Sequence, residues 1–243
     1  MNYFEYNGVR SCDLGLRIES KDVFSAPAYD ADFKSIPGRD GDLILPNGRF
    51  ANVQVTYSVF LPAKSPADLA FKLTAVKAWL FSQPDRYHQL TDTYDTSFSR
   101  KAVYKGKLDI EDQLSRIGLF TVSFSCLPFR YSTEGQQETT VTVSGTTLTN
   151  PYPFRSKPYL RINGSGKITL TIQSADHNRT WNFSGVDQYI EVDSELMNFF
   201  KDTEPQNDRV SGDGFPTFDP GENTISFTGK VTSVDVKPRW CSL

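Results

Sequence analysis

Only two histidines, His88 and His177, are on hand to serve as an imidazole base or a metal ligand. His88 closes Pro84-Asp85-Arg86-Tyr87-His88 and His177 lies in Ala175-Asp176-His177-Asn178, so both read as solvated loop residues. No serine sits in a GxSxG elbow, no GxxxxGK[ST] loop could cradle a phosphate, and no HExxH is present. Ile162-Asn163-Gly164-Ser165-Gly166 is glycine-rich, but it joins two strand-like runs with no helix after it and reads as a turn. Carboxylates pair at Asp40 with Asp42, Glu111 with Asp112, and Glu191 with Asp193. A glycosidase needs two carboxyls at a set separation across a cleft, which sequence neither shows nor excludes; most such residues are turn formers or lie on solvated faces. Asp208, Asp213 and Asp219 share a Gly- and Pro-rich stretch whose spacing is not that of an EF-hand loop. Cys12, Cys126 and Cys241 are widely spaced and odd in number, which suits reduced thiols better than a disulfide framework or a zinc site. No catalytic, metal or cofactor site is expected.

The elements that would position any such group are mostly strands. Phe4-Glu5-Tyr6 followed by Asn7-Gly8 is a short strand ending in a hairpin turn. Residues 51–61 alternate Val53, Val55, Tyr57 and Val59 on one face, and residues 119–127 alternate Phe120, Val122, Phe124 and Cys126. Between them, residues 65–82 predict a helix: Ser65 suits the N-cap, Pro66 the first helical position, and Asp68 the acidic partner of a capping-box pattern. Leu69, Leu73, Val76 and Leu80 then form one apolar stripe, fit to pack on a sheet, and Pro84 stops the helix.

Residues 132–150 are almost purely polar and read as a linker, with a boundary near residues 131–137. Divided at residue 130, the halves carry net charges of +1 and −4. Beyond the boundary come short β-rich runs at 159–162, 167–172, 179–183, 189–192, 223–228 and 234–238, separated by turn residues; residues 196–200 suit either a strand or a helical turn. The expectation is a mainly β protein of two domains: a β-rich domain with one α-helix over 1–131 and a β-sandwich over 132–243.

Ile36-Pro37-Gly38-Arg39-Asp40-Gly41 packs Pro-Gly and Asp-Gly turn dipeptides into one segment between strand-like flanks. It is either a surface hairpin with an ordinary charged tip or a rigid contact element that a second subunit grips. The net charge of −3 argues against specific nucleic-acid binding. No run of about 18 apolar residues predicts membrane insertion, and no signal peptide is expected at Met1. Sequons at Asn163, Asn178 and Asn182 would matter only in a secretory pathway.

Five blocks in chain order carry a resemblance: Phe4-x-Tyr6-Asn7-Gly8 with Ser11, Asp13 and Gly15; the Ile36 to Gly41 segment; Cys126-x-Pro128-Phe129-Arg130-Tyr131; Asn150-Pro151 with Pro158 and Gly164-x-Gly166; and Phe215-Pro216, Pro220-Gly221-Glu222-Asn223-Thr224-Ile225, Gly229 and Pro238-Arg239-Trp240. The chain thereby resembles the siphophage distal tail protein family. The resemblance implies a galectin-like C-terminal sandwich and a homohexameric ring in the virion. That ring would join the tail tube protein to the tail-associated hub protein and hold a receptor-binding protein on its outer domains, and the chain would be made in the cytoplasm of the bacterial host. A long insertion in the C-terminal domain, present in some relatives, is missing here. The alternative is a stand-alone carbohydrate-binding β-sandwich module. There Trp181 would be the stacking platform and Arg179 and Asn182 its hydrogen-bonding neighbours, although Trp181 and Phe183 alternate as core residues do.

Overall fold

The computed structural model describes residues 1–113 and 116–243. It is mainly β, with 55% strand against 10% helix. Contacts divide it into two compact units, Met1–Arg130 with Leu243, and Tyr131–Ser242.

In the first unit β1 (Phe4–Tyr6), β2 (Val9–Arg10), β3 (Arg17–Asp22), β4 (Tyr29–Lys34), β5 (Leu43–Phe50) and β6 (Val53–Pro62) precede the helix α1 (Pro66–Leu80). After it come β7 (His88–Asp92), β8 (Phe98–Tyr104), β9 (Glu111–Gln113) and β10 (Ile117–Ser132). One sheet runs β2-β1-β7-β8-β10-β6-β3, with β9 added to β10, while β4 and β5 form a separate two-stranded sheet. Asn7 and Gly8 both take positive φ, 51° and 75°, as a tight hairpin between β1 and β2 requires. The alternating residues of β6 and β10 are buried as expected, and Phe4 stacks on Tyr57 at 4.3 Å, beside Trp79, in the middle of the core.

The helix is capped as its sequence predicts: the Ser65 hydroxyl accepts the Asp68 N–H at 3.2 Å. The Asp68 carboxylate reaches back to the Lys64 N–H at 2.8 Å and holds Lys72 at 3.1 Å. Its core stripe is wider than expected, because Trp79 joins Leu69, Val76 and Leu80 in burial while Leu73 is only partly covered. The Trp79 indole donates to the Tyr6 carbonyl at 2.9 Å, satisfying the one polar atom of that ring inside the core.

In the second unit the strands are β11 (Thr139–Val141), β12 (Thr146–Asn150), β13 (Tyr159–Gln173), β14 (Asn178–Val186), β15 (Tyr189–Asp193), β16 (Asn198–Lys201), β17 (Glu204–Pro205), β18 (Val210–Gly212) and β19 (Gly221–Lys237). The sheet runs β11-β19-β13-β15-β16-β17, with β12 on β19, β14 on β13 and β18 on β14. The ambiguous residues 196–200 resolve into a turn followed by strand β16.

Three expectations need correction here. The glycine-rich residues 162–166 are not a turn between two strands: β13 passes straight through them, and residues 223–228 and 234–238 likewise belong to the single strand β19. The pairing shifts register at Asn163/Gly164 and between Ser165 and Ile168, so the glycines mark bulges that bend a continuous pair. The stretch after residue 131 is not a loose linker either. Gly135 is buried so closely against Trp240 that a Cβ there would sit 2.4 Å from the Trp240 nitrogen. Around it, Ser132 N–H donates to the Trp240 carbonyl at 2.9 Å and Arg239 N–H to the Gly135 carbonyl at 2.7 Å. Finally, His88 is not solvated. It opens β7, is 8% exposed, and places its ring edge-on to Tyr6 with Nε2 at 3.1 Å from the Gln83 carbonyl oxygen.

Candidate functional site

Sequence singles out the loop that joins β4 to β5. There Ile36-Pro37-Gly38-Arg39 closes a turn in which the Arg39 N–H donates to the Ile36 carbonyl at 3.2 Å. Proline at the second position and glycine with φ +81° at the third are what a type II turn requires. Gly41 also takes positive φ, and the Arg39 and Asp40 side chains at the tip are exposed.

The register behind the tip sorts the side chains of the two strands by face. Tyr29 pairs with Phe50, Ala31 with Pro46 and Phe33 with Ile44, so those six side chains share one face. The opposite face carries Asp30 across from Arg49, Asp32 across from Leu45, and Lys34 across from Leu43. Asp30 accepts from Arg49 at 2.5 Å and Asn47 at 3.0 Å, and those hydrogen bonds, Asn47 first, hold its carboxyl below the usual carboxylate range. The base of the apolar face is anchored where Phe50 meets Tyr29 and Phe129 edge-on. Further out it is open: Phe33 is 66% and Ile44 56% exposed. An isolated hairpin is marginal in water, and this one exposes a contiguous apolar strip along its outer part.

The second set of expected residues is distributed differently. Trp181 is fully buried and donates to the Gly214 carbonyl at 2.8 Å, so its ring faces the core and offers no face to a sugar. Arg179 turns to the Thr217 hydroxyl at 2.6 Å. Asn182 accepts from the Thr169 hydroxyl at 2.9 Å and lines an open groove of about 360 Å³ with Lys167, Asp208 and Arg209.

One cluster escaped sequence reasoning. Asp219, 6% exposed, accepts hydrogen bonds from Arg155 Nε at 2.6 Å, Ser174 Oγ at 2.7 Å and His177 Nδ1 at 2.8 Å. Burial pulls its carboxyl up, but the Ser174, Arg155 and His177 hydrogen bonds outweigh that and hold it below the usual range. A serine, a histidine and an aspartate therefore meet, yet not in the order that activates a nucleophile. The Ser174 hydroxyl and the imidazole both donate to the same carboxylate, and no bond joins the hydroxyl to a ring nitrogen. Sequence grouped Asp219 with Asp208 and Asp213 in a Gly- and Pro-rich stretch, whereas its partners Arg155, Ser174 and His177 come from far along the chain.

The remaining candidates are structural. Glu191 accepts the Tyr159 hydroxyl, and Asp193 is gripped by Arg239. The Asp112 side chain lies outside the described residues. Burial pushes the thiols of Cys126 and Cys241 up to about 12 and about 11, so both stay protonated and unreactive at neutral pH. Among the described residues no group of three or more His, Cys, Asp and Glu side chains could hold a metal, and no helix is long and apolar enough to cross a membrane.

No family model and no curated protein matches the sequence. Solved structures do match. SPP1 Dit (gp 19.1), described as a paradigm of the hub adsorption apparatus in phages infecting Gram-positive hosts, matches with a TM-score of 0.77 at 14% identity, covering 100% of both chains. This chain has the Dit fold. The phage p2 baseplate in its activated conformation, solved with Sr, matches at a TM-score of 0.52 and 6% identity over 97% of this chain and 98% of that one. Its counterpart with Ca matches at 0.51 and 6% over 97% of each. The Dit fold thus extends from end to end of the chain, hairpin and second unit included.

Proposed function

We propose that the chain is a structural component of a phage tail tip: a distal tail protein that forms a hexameric ring in the virion, joining the tail tube protein to the tail-associated hub protein. The observation that carries this reading is the full-length match to a hub protein of a tail adsorption apparatus. The open apolar face of the β4–β5 hairpin, with residues 36–41 at its tip, supports a chain that completes itself only by contact with another.

On this reading residues 1–131 form the ring and residues 132–243 project from it, where a receptor-binding protein attaches. The protein acts by shape and contact and has no catalytic role. Supporting that is the arrangement of Ser174, His177 and Asp219, whose hydrogen bonds are spent on one another. Synthesis takes place in the host cytoplasm before assembly. The test is electron microscopy of the purified chain beside light scattering: six-fold rings of about six chain masses are expected, whereas a stable dimer or tetramer at high concentration would refute the ring.

A further inference from the structure

The outward face of the second sheet is built from hydroxyl and amide side chains laid in rows across its strands. Thr228 on β19 lies opposite Thr169 on β13, Thr169 opposite Asn182 on β14, and Asn182 opposite Ser211 on β18. Ser226, Thr171 and Thr180 make the next row, and Thr224, Gln173 and Asn178 the one after. None of these side chains is charged, whereas about a quarter to a third of an ordinary protein surface is Lys, Arg, Asp and Glu. Their alternate neighbours Ile168, Leu170, Trp181 and Phe183 are buried, so the rows stand on a fixed floor. Three members of the first row, Thr169, Asn182 and Ser211, line the open groove of about 360 Å³, a volume in the range of small-ligand sites. Its walls are braced. The Ser184 hydroxyl donates to the Arg209 carbonyl at 3.0 Å, and β18 lies so close that a Cβ on Gly212 would sit 2.5 Å from the Thr180 carbonyl oxygen. The Thr169 hydroxyl donates to the Asn182 side-chain carbonyl at 2.9 Å, which leaves the amide NH2 as a donor toward the groove.

We infer that this groove, with the rows beside it, binds an uncharged saccharide. The make-up of the face selects the ligand. Serine, threonine and side-chain amides both donate and accept hydrogen bonds, as sugar hydroxyls do, and they call for no opposite charge. A nucleic acid or another polyanion needs a cationic surface, and here Lys167 and Arg209 stand only at one end of the groove, beside Asp208. A protein partner is met by aromatic, methionine and arginine side chains at a surface poor in serine, the reverse of these rows. The rows hold no aromatic ring for a sugar to stack on, so hydrogen bonds alone carry recognition and one site binds with a Kd of about 1 mM. This inference goes beyond the tail-tip reading and does not depend on the ring.

The test is saturation-transfer NMR on the full chain, with each probe at about 10 mM so that binding of that strength is read. The probes are neutral trisaccharides of glucose, galactose and N-acetylglucosamine, with trigalacturonate as the charged counterpart. Transfer to at least one neutral trisaccharide is expected. Asn182→Ala should weaken it by about fivefold or more, and Ser211→Lys, whose long side chain fills the groove, should abolish it. Glu204→Ala, away from the face, should bind as wild type does, and circular dichroism confirms that each variant is folded. Three results would overturn the inference. No transfer to any neutral probe would leave the threonine rows as a consequence of strand propensity alone. Transfer to trigalacturonate only would assign the groove to Lys167 and Arg209 and to an acidic ligand. Transfer undiminished in both Asn182→Ala and Ser211→Lys would place the site elsewhere.

Discussion

Arg239 grips Asp193 through two parallel hydrogen bonds, Nη1 to Oδ1 at 2.7 Å and Nη2 to Oδ2 at 2.8 Å. The pair is largely shielded from water, with 17% and 12% of the two side chains exposed, and Arg239 holds a left-handed backbone with φ 54° to make it. Burial raises the Asp193 carboxyl, but Arg239 and the N–H groups of Leu196 and Glu195 outweigh that and set it below the usual range.

Removing the guanidinium leaves a nearly buried carboxylate without its charged partner, held by the N–H groups of Glu195 and Leu196. Arg239→Ala is expected to destabilise the second unit by about 3–5 kcal/mol, read as a lowered urea midpoint. Because the folded carboxyl titrates below its unfolded value of about 3.9, the stabilisation is complete above that pH and fades as the solution is acidified through the depressed value. Wild-type and Arg239→Ala curves should therefore differ at neutral pH and converge in acid. A constant gap down to pH 2 would show that the ion pair is not the source.

The tip of the hairpin should matter to assembly and not to folding. Arg39→Ala is expected to weaken association of copies by about tenfold or more while leaving circular dichroism unchanged. Equal sedimentation of variant and wild type would reduce residues 36–41 to a plain turn.

The bend in the second sheet depends on two positions that tolerate no side chain. A Cβ on Gly164 would lie 2.3 Å from the Lys230 carbonyl oxygen, and one on Gly229, where φ is +97°, would lie 2.4 Å from that of Lys167. Either glycine changed to alanine should cost about 2–4 kcal/mol and lower the thermal midpoint of the second unit. An unchanged midpoint would mean that the two strands can spread at little cost.

The indole of Trp79 ties the helix to the first strand. Trp79→Phe keeps most of the ring but leaves the Tyr6 carbonyl without its donor, a change expected to cost about 1–3 kcal/mol. Chemical denaturation monitored by helical circular dichroism measures it. A variant as stable as wild type would place the value of Trp79 in packing alone.

Local signals were legible in the sequence. The Ser65 and Asp68 cap, the Asn7-Gly8 hairpin and the alternation in β6 and β10 each act within a few residues, and the structure has them where their spacing says. What escaped depends on partners distant in the chain. Gly164 looks the same in sequence whether it forms a turn or lets β19 pass closely beside β13. Asp219 reads as a turn residue until Arg155, Ser174 and His177 converge on it. The apolar face of the hairpin exists only through its register, which sets Phe33 beside Ile44 rather than Leu45.

The long pairing of β13 with β19 also constrains the order of events during folding. Tyr159 lies opposite Lys237 and Gln173 opposite Thr224, while β11 and β12, earlier still, take their places on β19 as well. Strands made early thus wait for a partner made late, and closing such large loops is slow compared with forming local hairpins. On a translating ribosome the second unit would emerge as a set of unfinished edges until β19 is released, exposed meanwhile to chaperones and to the mispairing that unpaired edges invite.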